Sequence, residues 1–308
     1  MDMTKIPPYL KKGDCVGIVC PAWKVDNDLH DAVAVLKSWG FQVKLGETVQ
    51  ASYRQYAGDD ALRAADFQRM LDDPDIQAIL AARGGYGCVR MIDRVDFNRF
   101  VKQPKWIVGF SDVTVIHSHI HQLSGIATLH GQMPITIPDA TRESLINLRN
   151  TLYGVLPVYR YASTEENIPG KVSGQVIGGN LALLVNILGS VSDMDYDGKI
   201  LFIEDVGEYY YAIDRMLWTL KRAGKLKNLK GLIVGGFTNL KESKVPFGMR
   251  MAALVKELVG EYGYPVAFDF PAGHIDNNYT LVLGVEATLE VTAWQVQLTY
   301  GKGVVSYT

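Results

Sequence analysis

Cysteine is scarce in this chain. Three occur in 308 residues, Cys15, Cys20 and Cys88, and no two form a C-x-x-C pair. An odd number cannot all pair, and Cys15 and Cys20 fall in one predicted strand, so free buried thiols are expected instead of a disulfide framework. Charge of one sign is also lacking. A formal net charge of -2 gives no reason to expect a nucleic-acid or anionic-membrane partner. No apolar run reaches the roughly 20 residues of a membrane-spanning helix. The first ten residues hold Lys5 and two prolines but no apolar core of a signal peptide. A protein of the reducing cytoplasm is the expectation. What the chain does have is 48% apolar and 21% charged residues, enough to bury a sizeable core. Its length suits two domains.

The two halves differ in pattern. Up to about Tyr153, short apolar runs alternate with segments whose apolar residues recur every three to four positions. The runs are Cys15–Cys20, Phe41–Leu45, Ile76–Ala82, Trp106–Phe110 and Ile126–Leu129. Between them lie helical patterns over Leu29–Trp39, Asp59–Leu71, Val89–Phe100 and Val113–Leu123. Such alternation predicts a parallel sheet covered on both faces, with ligands bound beyond the carboxyl ends of its strands. The stretch from Gly154 to Val172, with Pro157, Pro169 and a polar patch over Ser163–Asn167, reads as a linker. The expected division is therefore a domain over 1–155, a linker over 156–171 and a second domain over 172–308. That second domain mixes helices with buried strands, Lys199–Ile203 and Leu232–Phe237. Its tail, Tyr279–Tyr300, alternates in period two as antiparallel strands do. It reads as an α+β unit rich in strands.

Chemistry is concentrated at a few strand ends. In Lys105–Thr114 the strand-like run stops at Gly109-Phe110, and Ser111 opens a helical pattern. A serine at such a turn is lifted towards a cleft, and the first helix amides face the same way, suited to an oxyanion. The segment is not G-x-S-x-G, and capping of the helix by Ser111 or Asp112 is the competing explanation. A serine nucleophile needs a base, and the base an orienting acid. Among six histidines, His30 sits in a surface helix pattern. His117, His119 and His121 follow Ser111 on one helix, and His117 and His121 are one turn apart without the acidic residue of H-E-x-x-H, so no metal site is expected. His130 ends a strand, either lining the cleft or held structurally. His274 lies in a turn-rich loop, Phe270–Asn278, and Glu204 ends an apolar strand. A carboxylate there would hold a histidine tautomer, with ordinary strand-end exposure as the alternative. Arg83-Gly-Gly-Tyr-Gly87 lets backbone amides approach a substrate, but no Lys-Ser/Thr follows as in a phosphate-binding loop.

Taken together, Arg83–Gly87, Gly109–Asp112, His130-Gly131, Gly178–Leu181, Ile203–Asp205, Ile213–Arg215 and Gly273-His274 closely resemble the LD-carboxypeptidase family of serine peptidases. The motifs stand in family order from Lys12 to Tyr300. The resemblance implies a Rossmann- or flavodoxin-like N-terminal domain carrying Ser111 as nucleophile, and a C-terminal domain carrying Glu204 and the general base His274. It implies an oxyanion hole from the Asp112 amide and an amide of Gly84 or Gly85. The reaction implied is release of the terminal D-alanine from cytoplasmic muropeptide tetrapeptides in peptidoglycan recycling, without metal or organic cofactor, by a homodimer. Arg83 or a backbone nest is expected to bind the substrate's carboxylate. The partner expected is this small peptide, with no nucleic acid and no membrane. A sister branch, similar to the microcin C immunity peptidases, acts on peptidyl-adenylates; here Glu204–Arg215 leaves no room for that branch's longer insertion, although Tyr209, Tyr210 and Tyr211 are aromatic. A serine amidase for other acyl compounds and a non-catalytic two-lobed binding protein are the remaining alternatives.

Overall fold

The five expected runs of the first half form strands β1 (Cys15–Val19), β2 (Gln42–Leu45), β3 (Ile76–Ala81), β4 (Trp106–Gly109) and β5 (Thr128–His130). The computed structural model describes residues 4–26 and 28–301. These strands run parallel in the order β5-β4-β3-β1-β2. Helices α1 (His30–Ser38), α2 (Asp60–Asp72), α3 (Cys88–Met91), α4 (Asn98–Lys102), α5 (Thr114–Ser124) and α6 (Arg142–Leu152) accompany them. Neighbouring residues along a strand point to opposite faces. Val16, Ile18, Leu80 and Val108 enter one core, and Val19, Ile79 and Ile107 enter another. Both faces are thus covered, as a parallel sheet requires.

The helix expected over Val89–Phe100 is broken in two. Between α3 and α4 the Asp96 amide donates to Gln68 Oε1 at 2.7 Å, and the Asp96 carboxylate accepts from the Asn98 amide at 2.8 Å. These local bonds compete with helical ones and restart the helix at Asn98.

The second half adds β6 (Val158–Ala162), β7 (Gly170–Asn180), β8 (Ile200–Val206), β9 (Gly231–Thr238), β10 (Val266–Ala267), β11 (Leu281–Leu283), β12 (Glu286–Val291) and β13 (Gln295–Tyr300). Its helices are α7 (Leu181–Asn186), α8 (Tyr210–Arg222) and α9 (Met251–Val259). The second sheet runs β10-β9-β8-β7-β12-β13-β6. The sheet is parallel over β7–β10 and antiparallel from β7 through β12 and β13 to β6.

Two features depart from the expected division. The segment expected as a linker contains β6, which pairs with β13. Its Val-Tyr-Arg-Tyr-Ala sequence buries chiefly Tyr159, so its half-buried edge pattern is easily lost beside Pro157 and the polar patch. The second departure is β11, which leaves its own half and pairs antiparallel with β5, Leu281 opposite His130. The two halves therefore share a sheet.

Candidate active site

At the end of β4 the chain turns sharply. Ser111 adopts φ +64°, a left-handed conformation that costs a non-glycine residue about 1–3 kcal/mol. Neither Ser111 nor Asp112 caps the following helix through its side chain. Asp112 is fully buried and its Oδ2 accepts from the Cys88 amide at 2.7 Å, which ties the serine's turn to the start of α3. Burial pushes the Asp112 carboxyl above its usual range, against the lowering effect of the bonds at Cys88.

The glycine-rich loop closes on this turn. A β-carbon on Gly84 would stand 2.8 Å from Ser111 Cβ, 2.9 Å from its Oγ and 3.3 Å from the Asp112 amide nitrogen. Gly85 has φ +109°, and the Trp23 indole occupies the space a side chain would need. Among the described residues the amides of Gly84 and Gly85 donate to no protein acceptor. Asp112, second residue of a helical turn, has an amide without an intrahelical partner by position. Uncommitted amides beside a raised serine can bind the oxygen of a tetrahedral intermediate.

Glu204 and His274 are brought together. Glu204 is wholly buried in β8, two residues before its end, and His274 Nδ1–H donates to its Oε2 at 2.6 Å. The His274 amide reaches the same oxygen at 3.2 Å. Gly273 is required there, at φ +114°, because a β-carbon would lie 2.8 Å from Glu204 Cβ. Burial disfavours the His274 imidazolium, but the Glu204 charge and hydrogen bond, with a smaller effect of Asp205, outweigh it and raise the histidine above its ordinary value.

The His274 loop is anchored across the halves. Asp276 O accepts from Gln132 Nε2 at 2.9 Å and from the Thr141 amide at 3.1 Å, both from the first half. Asn278 Oδ1 accepts from the Gly273 amide at 2.8 Å, and Thr238 Oγ1 donates to His274 O at 3.1 Å. The imidazole packs edge-on against Phe110, the residue before Ser111, with ring centroids 4.9 Å apart. Among the described residues Ser111 Oγ makes no hydrogen bond to His274.

The other expected residues fall outside this constellation. His117 Nε2–H donates to Gly109 O at 2.9 Å beneath the serine's turn, and burial lowers its pKa to about 4. His119 bonds Ser192 Oγ at 2.9 Å, while His121 lies near Gly284. His130 is fully buried between Phe110 and Phe202, a packed histidine instead of a cleft residue. His30 is exposed and pairs with Asp28. Among the described residues no three potential metal ligands cluster. Arg83 lies over the Trp23 ring at 5.3 Å and donates Nη1 to Lys24 O at 3.0 Å, leaving Nη2 uncommitted among the described residues. Tyr209 and Tyr211 stack on each other at 5.4 Å, and Tyr210 faces Phe247.

One residue that holds the site escaped the sequence reading. Arg63, fully buried on α2, donates Nη1 to Pro21 O at 2.6 Å and Gly87 O at 2.8 Å, and pairs with Asp60. It fixes the glycine loop from below. A lone arginine in a helical pattern reads as surface charge, so its role had no signal in the sequence.

A serine raised on a strand-to-helix turn, free amides beside it and a buried carboxylate–imidazole pair are the components of a serine hydrolase. The chain belongs to the LD-carboxypeptidase family. Residues 16–131 match the family's N-terminal domain and residues 173–289 its C-terminal domain. It is 36% identical over 291 residues to a probable murein peptide carboxypeptidase of Bacillus subtilis, covering 92% of this chain and 91% of that protein. The crystal structure of a muramoyltetrapeptide carboxypeptidase from Oxalobacter formigenes superposes with a TM-score of 0.85 at 31% identity, over 94% of this chain and 99% of that one. The microcin C7 self-immunity protein MccF in its wild-type apo state shares the fold, with a TM-score of 0.85 at 23% identity over 95% of this chain and 98% of that one. The protein is a serine-type carboxypeptidase. No helix among the described residues is long and apolar enough to cross a membrane.

Proposed function

We propose that this enzyme hydrolyses the L,D peptide bond before the terminal D-alanine of muropeptide tetrapeptides, in the cytoplasm during peptidoglycan recycling, as a homodimer. The observation that carries the reading is the buried Glu204–His274 pair beside Phe110-Ser111, in a chain similar over nearly its whole length to peptidases named for murein peptides. His274, its Nδ1–H held by Glu204, accepts the Ser111 proton at Nε2 as Oγ attacks the scissile carbonyl. The developing oxyanion is met by the amides of Asp112 and of Gly84 or Gly85. The imidazolium then protonates the amine of the departing D-alanine, and the C–N bond breaks to leave an acyl-enzyme. Water, deprotonated by the same histidine, releases the tripeptide and restores Ser111. The chemistry uses no metal and no organic cofactor. Arg83 Nη2, held on Trp23 at the mouth of the glycine loop, is the group we assign to the free carboxylate of D-alanine.

The test is a mass-spectrometric assay of wild type and Ser111→Ala on L-Ala-γ-D-Glu-meso-Dap-D-Ala with EDTA present. Release of D-alanine by wild type, abolished in the variant and indifferent to chelation, is the expected result. A folded wild type that releases none would sink the substrate assignment and direct attention to peptidyl-adenylates. Activity surviving in Ser111→Ala would remove the nucleophile.

A further inference from the structure

Residues outside the proposed triad join its two parts. The nucleophile belongs to the first sheet and the acid–base pair to the second, so their register depends on what locks β4–α5 against β7 and β8. The described residues place one polar chain at that seam. Thr114, the first residue of α5 and three residues beyond Ser111, is fully buried, and its Oγ1 accepts from the Asn180 amide at 3.0 Å. Asn180 ends β7 and stands opposite Glu204 in the sheet register. Its Nδ2 donates to Asp205 Oδ1 at 3.0 Å. Asp205 is 2% exposed, and it also accepts from the Ala182 amide at 2.9 Å and the Val206 amide at 2.8 Å. The approach is close: a β-carbon on Gly179 would lie 2.5 Å from Thr114 Oγ1. No bulkier residue could let α5 sit so near the strand.

We propose that Thr114, Asn180 and Asp205 form a clasp that sets Ser111 against His274, with Asp205 a positioning residue that acts through both the backbone of Glu204 and the field at the imidazole. The proposal rests on the triad reading given above. Among the described residues Asp205 is bonded only to neutral donors, all of them spent on holding β7, α7 and β8 in register. A buried carboxylate in that setting is expensive, and burial raises its pKa to about 6. An asparagine of the same shape would avoid that cost only by turning its NH2 towards one of these donors, so the carboxylate serves both as acceptor and as charge. Among the described residues the charged groups facing His274 are Glu204 and Asp205 from β8, and His130 from β5 is a further titratable neighbour. Both carboxylates favour the imidazolium that forms when Ser111 is deprotonated. The negative charge at Asp205 is thus a second, more distant stabiliser of the same cation.

Asp205→Asn and Thr114→Val separate the two actions. The His274 ring is followed by NMR titration, which needs no substrate. The reactivity of Ser111 is followed as the labelling rate with a serine-directed phosphonate, alongside kcat and KM on the tetrapeptide. Asp205→Asn is expected to lower the His274 pKa and to move the acidic limb of kcat/KM to lower pH. Thr114→Val is expected to leave the His274 pKa in place. Both should slow labelling and kcat by roughly a hundredfold with KM little changed, the scale of loss when reacting groups are displaced by about an ångström. Thr114→Ser, which keeps the acceptor oxygen, should restore the rates. Labelling and titration at wild-type values in folded Asp205→Asn would overturn the proposal, as would wild-type labelling in Thr114→Val. A wild type that is labelled but does not cleave the tetrapeptide defeats the substrate reading alone, and the clasp is then judged on labelling and titration.

Discussion

Gly84 is packed against Ser111 so closely that a single added methyl would stand 2.9 Å from the serine Oγ. The glycine's own backbone is not in the left-handed region, so alanine brings no backbone strain of its own and acts through that contact. Gly84→Ala is therefore expected to fold with a lowered melting temperature, since its β-carbon would also stand 2.8 Å from Ser111 Cβ, while displacing Oγ and crowding the Asp112 amide. A fall in kcat of about 10²-fold or more follows from a displacement of that size. Turnover in Gly84→Ala within a few fold of wild type would show that the loop does not shape the site.

Ser111 itself stores strain that can be measured. At φ +64° a β-carbon is disfavoured, and glycine is not. Ser111→Gly and Ser111→Ala both remove the hydroxyl, so their difference isolates the backbone. The glycine variant is expected to be the more stable by about 1 kcal/mol, even though glycine gains more entropy on unfolding. Denaturant melts of the two variants check this. An alanine variant equal to or more stable than glycine would mean that the turn relaxes.

Much of this architecture was legible in the chain, for reasons that particular residues make plain. Apolar runs placed β1, β3 and β4, because strands buried on both faces leave a continuous hydrophobic signature, whereas β2 is an exposed edge strand marked only by the alternation of Phe41, Val43 and Leu45. Ser111, Glu204 and His274 stood out because each is a reactive or charged residue at a strand end or in a turn-rich loop. The clasp was not legible. Thr114 and Asn180 are common residues of helix starts, and only tertiary packing sets one against the other. Arg63 was hidden likewise, since nothing local distinguishes a buried arginine from a solvated one. β11 escaped because three apolar residues do not say which of two sheets they join.

The buried histidines set the acid limit of stability. Burial lowers His117 to about 4, and His121 to about 4 with help from Lys199. His130 moves in the same direction through burial and its neighbours His117 and His274. A histidine whose pKa is depressed in the folded state binds its proton first in the unfolded chain. Stability is therefore full above the ordinary 6.5 and is lost as pH falls from there towards 4. For His117, wholly buried, the loss is roughly 3 kcal/mol across that window. Melting temperature is expected to drop between pH 6.5 and 4, and His117→Gln, which keeps a donor for Gly109 O, should drop less steeply. Parallel curves for the two proteins would exclude His117 from the acid response.

His274 titrates in the opposite sense. Its pKa is raised because the Glu204 carboxylate, assisted by Asp205, outweighs the burial that would lower it. As the proposed base the imidazole works only when unprotonated, so the acidic limb of kcat/KM is expected above 6.5 in wild type. Its contribution to stability is fully present below 6.5 and disappears as pH rises through the folded-state pKa. Glu204→Gln removes the largest of the raising influences and keeps the side chain's size, so burial then dominates and the limb should move below 6.5. The same variant should lose turnover by about 10⁴-fold, the scale seen when a catalytic histidine loses its orienting carboxylate. Activity low but displaced towards acid is thus the expected signature. A limb that stays in place at reduced height would mean that Glu204 orients the imidazole without tuning its charge.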